Sequence, residues 1–479
     1  LKKGFFTVQS DQVPPEGLQN KKRGRRSPTT GVSNRAPKPN EDPCSVCGLC
    51  GDERLSNPKI EPWGGFKKKG MVFGEGPGEV EDRMGRPFVG DTGELFRGYF
   101  VKYGLDFDQD FVVVNAIDCR KMDKRGANAK PSKKELKLCW PRKEAAIIQY
   151  QPSVIFLLGD SAIDSFYGGS DERRFFSSLP LSSYRGKVIP DQTTGAWICH
   201  SYHPAFLLRG NKDMEPIFDL DFRVFVSMLG KPRPTKFAYS DNIMLLYEEQ
   251  QVLTLLRGML KSGKPFAFDY ETSSFRYYER IHEIYLISVS SEDGKGAFVF
   301  SPTESILNMW KTLLESDVPK VAQNIKHEIQ ASHYVLGIEP NNMIFCTMLA
   351  AHVLDGTKGV TNLKKQVYIR YGVPDYGQLL KPFMEAGPKE KNRFAEVASE
   401  PGTRRYCGRD SLFCNKIAKT QQRQLKAQGM QRAYDLFHRG ALAYSQIERN
   451  GIKIDVDLAL KLQDKWGQEI EELKDKLFS

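Results

Sequence analysis

The stretch Gly230-Lys231-Pro232-Arg233-Pro234-Thr235 constrains this chain more than any other feature. Its prolines fix φ and remove backbone donors, so neither a helix interior nor a central strand can run through it. It reads as a linker, residues 231–240, between two segments that each alternate apolar runs with helical patterns. Before it, 71–73, 111–117 and 154–158 read as buried strands, with helices over 91–102 and 132–149. After it, 265–269, 283–290 and 296–300 read as three adjacent strands, followed mostly by helix. The expected class is α/β: a three-layer α/β/α domain on a mainly parallel sheet over 43–230, a second α/β domain over 241–425, and a helical segment over 426–479. Two or three domains suit a length of 479 residues.

Residues 1–42 are rich in Pro, Ser, Asn and Gly and read as a disordered tail. They hold nine basic and four acidic residues, including the run Lys21-Lys22-Arg23-Gly24-Arg25-Arg26. This arm contacts DNA or is simply a solvated tail. The net charge of +11 favours a polyanionic partner such as DNA, or an anionic membrane surface. No apolar run is long enough to span a membrane, so no membrane partner is expected. Nine cysteines without an apolar signal segment fit a reducing compartment, where clustered thiols are more often metal ligands than disulfides. The expected location is the cytoplasm. The chain opens on Leu1, which fits a processed or partial product.

Cys44 and Cys47 form a C-x-x-C pair, and Cys119 and Cys139 a wider pair about 70 residues on. Four thiolates from two distant pairs can close around a zinc ion or an iron–sulfur cubane, and their spacing does not separate the two. Between and after them lie Gly74-Glu75-Gly76-Pro77-Gly78, Arg86-Pro87-Phe88-Val89-Gly90, Asn115, and Tyr202-His203-Pro204-Ala205-Phe206-Leu207-Leu208-Arg209. In this order the motifs resemble those of family 4 uracil-DNA glycosylases over roughly residues 43–228. The resemblance implies a 4Fe-4S cluster on Cys44, Cys47, Cys119 and Cys139. It implies a flipped uracil stacked on Phe88 and paired by the Asn115 amide. His203 would stabilise charge developing on the pyrimidine, and Glu75 or Glu81 would orient water. Gly76 would let backbone approach the base, and Arg209 would lie near the DNA backbone. Three departures stand out: a basic insertion around Lys121–Lys134, an extra thiol at Cys50, and Ala205 where the family has Ser.

In the second segment, Phe266-Ala267-Phe268-Asp269-Tyr270-Glu271-Thr272 puts two carboxylates at i and i+2, on one face of a strand. Such a pair can bridge divalent metals. Gln323-Asn324-Ile325-Lys326-His327-Glu328 ends a short strand and opens a helix, and Tyr406-Cys407-Gly408-Arg409-Asp410 lies on a late helix, with Tyr and Asp one turn apart. The set resembles the tyrosine-bearing DEDD 3′–5′ exonucleases of family A DNA polymerases, a ribonuclease H-like fold, over roughly 240–425. Glu328 stands where that family has Asp. Thr347-Met348-Leu349-Ala350-Ala351 and Asn362-Leu363-Lys364 also look like its downstream helices. The resemblance implies two Mg²⁺ or Mn²⁺ ions. Asp269 would be shared between them, Glu271 and Asp410 would complete one site, Glu328 would hold the other, and Tyr406 would orient the attacking water. The substrate would be single-stranded or frayed 3′ ends, with Phe275, Tyr277 and Tyr278 as stacking platforms.

Residues 447–455 resemble the lead into the thumb of family A polymerases. Ala443-Tyr444-Ser445 imitates a polymerase metal motif but carries Ala443 in place of its Asp, so no polymerase site is expected. The whole chain resembles the N-terminal part of a bacteriophage-type family A polymerase, with palm and fingers as partners and the host cytoplasm as location. The competing reading is a glycosylase-like module that only grips DNA or senses uracil, within a DNA-binding platform for replication.

Overall fold

The computed structural model describes residues 42–170, 180–237, 239, 242–274, 282–291, 294–385 and 391–478. The expected tail before Asp42 and the aromatics Phe275, Tyr277 and Tyr278 lie outside the described residues.

Two sheets divide the chain. The first holds β1 (Gly70–Gly74), β2 (Phe111–Asn115), β3 (Val154–Leu158), β4 (Ile189–Asp191) and β5 (Ala196–Ser201) in the order β2-β1-β3-β5-β4. All pairings are parallel except that of β4 with β5. β1, β2 and β3 read as mainly apolar runs because both faces are covered. Met71 and Phe73 of β1 pack with residues of the helices Lys133–Tyr150 and Gly159–Gly169. Val72, pointing the other way, packs with Phe96, Phe100, Phe222 and Phe225 from the helices Asp91–Lys102 and Glu215–Met228. This is the expected three-layer arrangement. The strand ends of β1 and β2 stop at Gly74 and Asn115, and the loops leaving them carry the motif residues.

The second sheet holds β6 (Ile243–Leu245), β7 (Phe266–Thr272), β8 (Ile284–Ser291), β9 (Ala297–Phe300), β10 (Lys320–Ala322) and β11 (Met343–Cys346), ordered β11-β10-β7-β8-β9-β6. β7, β8 and β9 are antiparallel, while β10, β11 and β6 run parallel to their neighbours. The two-residue period of β7 sorts its side chains. Phe266, Phe268 and Tyr270 meet Trp310 of the helix Glu304–Glu315. Ala267 packs with Cys414 and Ala418 of the 27-residue helix Pro401–Ala427. Asp269 and Glu271 share the Ala267 face, so the alternation itself aims both carboxylates at the helix carrying Tyr406 and Asp410.

The Pro-rich stretch is pinned rather than free. Trp197 Nε1 donates to the Pro232 carbonyl at 2.9 Å, and Arg233 donates from Nε to Gly195 O at 2.8 Å and from Nη2 to Thr194 O at 2.6 Å. Composition alone suggested a tether, but an extended chain leaves carbonyls and a guanidinium side chain available to bond the β4–β5 turn. Beyond residue 427, the helix Gln431–Asn450 packs on the second sheet: Cys346 N–H donates to Tyr434 Oη at 2.7 Å, and Gln330 Nε2 donates to Ser445 O at 3.0 Å. The helix Val456–Phe478 exposes Leu458, Trp466, Ile470, Leu473 and Leu477. Among the described residues no helix is long and apolar enough to cross a membrane.

Candidate active sites

At the C-terminal ends of β1 and β2, a cleft of about 920 Å³ is lined by Glu75, Gly76, Glu81, Phe88, Asn115, His203 and Arg209 among others. The structure thus brings together every residue expected to serve a flipped base. Phe88 stacks on His203 with ring centroids 5.7 Å apart and planes at 27°. Its backbone takes the left-handed φ of 55°, and Gly93 sits so close that a Cβ there would lie 1.8 Å from the Phe88 carbonyl. Gly74 forms the floor: a Cβ there would come within 2.4 Å of Asn115 Oδ1 and 2.7 Å of the Phe88 ring.

His203 caps the short helix Pro204–Leu208, and its Nδ1 accepts from the Ala205 N–H at 3.3 Å. An accepting Nδ1 leaves the proton of a neutral ring on Nε2. Burial lowers the imidazole to about 4 against the partly offsetting charge of Glu75, so the ring is neutral at physiological pH.

The two acidic candidates separate. Glu81 accepts from Val89 N–H at 3.1 Å, Gly90 N–H at 2.9 Å and Gly78 N–H at 3.1 Å, so both its oxygens are engaged in tying two motif loops together. The expectation that it orients water is corrected on this ground. Glu75 accepts only from Ser161 Oγ, at 2.7 Å, among the described bonds. The basic insertion also reaches the cleft, where Lys121, Asn128 and Lys130 form part of the wall.

Behind the cleft, Cys44, Cys47, Cys119 and Cys139 line one small cavity together with Cys50, Lys59 and Arg142. The Lys59 backbone N–H donates to Cys119 Sγ at 3.3 Å. Burial pushes the Cys119 thiol up to about 11, with further upward push from Cys50, Cys44 and Cys47. Burial likewise raises Cys44, Cys47 and Cys139. Four thiols around one cavity make a donor set for a zinc ion or an iron–sulfur cubane.

In the second module Glu271, Glu328, Tyr406 and Asp410 are buried around the half-buried Asp269. Burial, then the neighbouring charge of Asp410, raises Asp269 well above the ordinary carboxylate range. Glu271 is raised by burial and by Asp269, and Glu328 by burial and Asp269. Glu328 Oε2 has no hydrogen-bond partner. The charge of Asp269 acts on this carboxylate across the buried site. A buried, unpartnered carboxylate oxygen among three more carboxylates is a donor set for a hard cation.

Asp410 differs from expectation. It is bonded to Lys364 and accepts from Tyr376 Oη at 2.6 Å, because the cluster's negative charge draws in a neutralising ammonium. Lys364 Nζ also lies 4.4 Å from the centroids of both the Tyr376 and Tyr406 rings. In place of Asp410, the group whose donor atoms all fall within 4.8 Å is Asp269, Glu271 and Cys407. Sequence reasoning missed Cys407 and Tyr376. Cys407 was findable, since it lies three residues before Asp410 and so on the same helical face. Tyr376, 34 residues upstream of Asp410, carries no local signal.

Comparison with known proteins separates the same two modules. The uracil DNA glycosylase superfamily matches residues 62–224, and a 3′–5′ exonuclease family matches residues 246–371. The type-4 uracil-DNA glycosylase of Thermotoga maritima is 31% identical over 183 residues, 38% of this chain and 84% of that protein. The chain belongs to the type-4 branch of the uracil-DNA glycosylase superfamily. The type-4 enzyme of Archaeoglobus fulgidus is 29% identical over 40% of this chain and 93% of its own length. Among solved structures, Escherichia coli RNase D is similar over 43% of this chain and 51% of that chain, at 16% identity and a TM-score of 0.34. This glycosylase-family chain therefore continues into a 3′–5′ exonuclease domain.

Proposed function

We propose that the chain is a DNA-processing enzyme with two activities: divalent-metal-dependent trimming of 3′ ends, and excision of uracil. One observation carries the first: four carboxylates converge in a largely buried site with a single lysine, and one oxygen of Glu328 has no partner. Asp269, Glu271, Glu328 and Asp410 would hold Mg²⁺ or Mn²⁺, which when bound supplies charge for the scissile phosphate and lowers the pKa of water. Tyr406, beside Glu271 and Asp410, would position the attacking water. Lys364 would balance the acidic cluster and release Asp410 as cations enter.

The second activity is favoured by the fixed tautomer of His203. Phe88 and Asn115 would receive the flipped base, and His203 Nε2–H would donate to the pyrimidine oxygen as negative charge develops there. Glu75, with an oxygen free of described bonds, would orient water towards the sugar. Cys44, Cys47, Cys119 and Cys139 would hold a 4Fe-4S cluster that ties the N-terminal segment to the helix Lys133–Tyr150.

We read 1–42 as a tail, 43–230 and 241–425 as the working domains, and 426–479 as the start of a polymerase thumb. The parent would be a phage-type replicative polymerase supplying palm and fingers. The supporting observation is the order of the modules along the chain. The decisive assay uses one labelled oligonucleotide carrying a single internal uracil. Abasic sites formed without metal, abolished by His203→Ala, and 3′ shortening that needs Mg²⁺ or Mn²⁺, abolished by Asp269→Ala, are expected. A chain that shortens DNA but makes no abasic sites in any buffer leaves the first module as a DNA grip.

A further inference from the structure

The carboxylates of Asp269 and Glu271 share their pocket with a thiol. One oxygen of each and Cys407 Sγ all lie within 4.8 Å of one another. The position follows from local geometry. β7 presents residues 269 and 271 on one face, and the helix Pro401–Ala427 lays Cys407 across it, one residue after Tyr406 and three before Asp410. Cys407 is fully buried, its carbonyl accepts from Ser288 Oγ at 2.9 Å, and its thiol also hydrogen-bonds with Ser288. Two oxygens and one sulfur from rigid elements make three protein ligands. That number and mix suit a borderline-soft ion such as Zn²⁺ or its softer relative Cd²⁺, whereas Mg²⁺ gains nothing from sulfur.

We propose that Asp269, Glu271 and Cys407 form a site that takes a thiophilic divalent cation in preference to Mg²⁺ and thereby holds the exonuclease module inactive. The inactivating half rests on the reading of this module as a metal-dependent exonuclease. When the ion binds, a sulfur–metal bond forms and the thiol proton leaves to solvent. The two carboxylates are then committed to one ion, and the hard-cation arrangement needed at the scissile phosphate cannot assemble.

The test uses the full chain with its N-terminal cysteines unaltered, and Cd²⁺ as probe, because a cadmium–thiolate bond has its own ultraviolet charge-transfer absorption. The expected result is a saturable band in the unmodified chain beyond that seen in Cys407→Ala, displaced by Zn²⁺ and resisted by Mg²⁺ even in large excess. Asp269→Asn should weaken this band's Cd²⁺ affinity at least as much as loss of a supporting partner does, roughly 10- to 100-fold. An identical band in Cys407→Ala overturns the site. Should that variant fail to fold, an Asp269→Asn chain that binds Cd²⁺ as tightly as the unmodified one overturns it instead. In Mg²⁺-supported trimming, Zn²⁺ should inhibit the unmodified chain at concentrations at least about tenfold lower than Cys407→Ala, and equal sensitivity overturns the inactivating role. If no metal supports trimming, the exonuclease reading fails while the cadmium band still decides the metal site.

Discussion

His203 sits in the cleft with one nitrogen already engaged, and its behaviour with pH follows from that. The Ala205 N–H holds Nδ1 as an acceptor, and burial lowers the ring to about 4. A folded value below the unfolded 6.5 means that acid favours the unfolded state. Stability from the neutral ring is complete above about 6.5 and is lost as pH falls towards 4. Uracil excision under saturating substrate should therefore stay flat through the range where an exposed histidine titrates and fall only near pH 4. A half-maximal rate near 6.5 would mean that the ring titrates as an exposed histidine does and is not held neutral by burial. His203→Ala should cost on the order of 100-fold in rate. Gly74→Ala is a sharper probe of the base pocket. A methyl 2.4 Å from Asn115 Oδ1 and 2.7 Å from Phe88 must displace one of them, so abasic-site formation should collapse while trimming of 3′ ends persists. Equal excision by Gly74→Ala would show that Asn115 and Phe88 do not read the base together. Sequence motifs made these residues legible because each motif is a local segment, three of them following a strand end and that of Phe88 joining two helices. Glu81 was misread because its partners, Val89 and Gly90, become neighbours only when the two motif loops fold together.

β7 and the helix Pro401–Ala427 hold like charges together, and stability should register it. Folding raises Asp269, Glu271 and Glu328 well above their ordinary values of 3.8, 4.5 and 4.5. Raised carboxylates bind protons more readily folded than unfolded. Without metal, their contribution is fully favourable below about pH 4 and is lost as pH rises through the raised folded values. Divalent cations replace the missing protons. The melting temperature of the exonuclease module should thus rise on adding Mg²⁺ to chelator-treated protein, by an amount that grows from acid to neutral pH. Asp269→Asn should shrink the increment. An increment independent of pH would show that these carboxylates do not bind the ion. At this scale the sequence was most readable where a strand is buried on both faces. β1, β2 and β3 lie where apolar runs put them, and β7, β8 and β9 lie where three adjacent strands were expected. β4 and β11 escaped notice because a strand of three or four residues is too short for its period to stand out. In β5, Cys199, His200 and Ser201 break the apolar run, and His200 Nε2 pairs with Tyr167 Oη at 2.8 Å.

Across the whole molecule, the helix Leu363–Tyr371 joins the exonuclease cluster to the core of the glycosylase module. Lys364, near its start, pairs with Asp410 in the exonuclease cluster. Tyr368, one turn on, is fully buried among residues of the glycosylase module, packing edge-on against Tyr167 with centroids 5.7 Å apart. Its hydroxyl donates to Asp191 Oδ1 at 2.9 Å, across 177 positions of sequence. Just beyond, Gly372 holds a φ of +66° and comes so near β4 that a Cβ would lie 1.6 Å from the Pro190 carbonyl, while its own carbonyl accepts from Gln192 N–H at 3.0 Å. No sequence pattern marks this seam, because its two sides are each ordinary within their own module. The seam should couple the unfolding of the two modules, since Tyr368 of one is buried against Tyr167 and Asp191 of the other. Tyr368→Phe removes one buried hydrogen bond and should cost about 1 kcal/mol with cooperativity kept. Gly372→Ala strains the backbone and forces β4 away, so it should split one calorimetric transition into two. Shortening of DNA and formation of abasic sites should both survive at low temperature in that variant, since no cleft residue is touched. If Gly372→Ala melts in a single transition at the unmodified temperature, the seam adds nothing to the union of the modules. If the unmodified chain already melts in two steps, the linker and not the seam is what keeps them together.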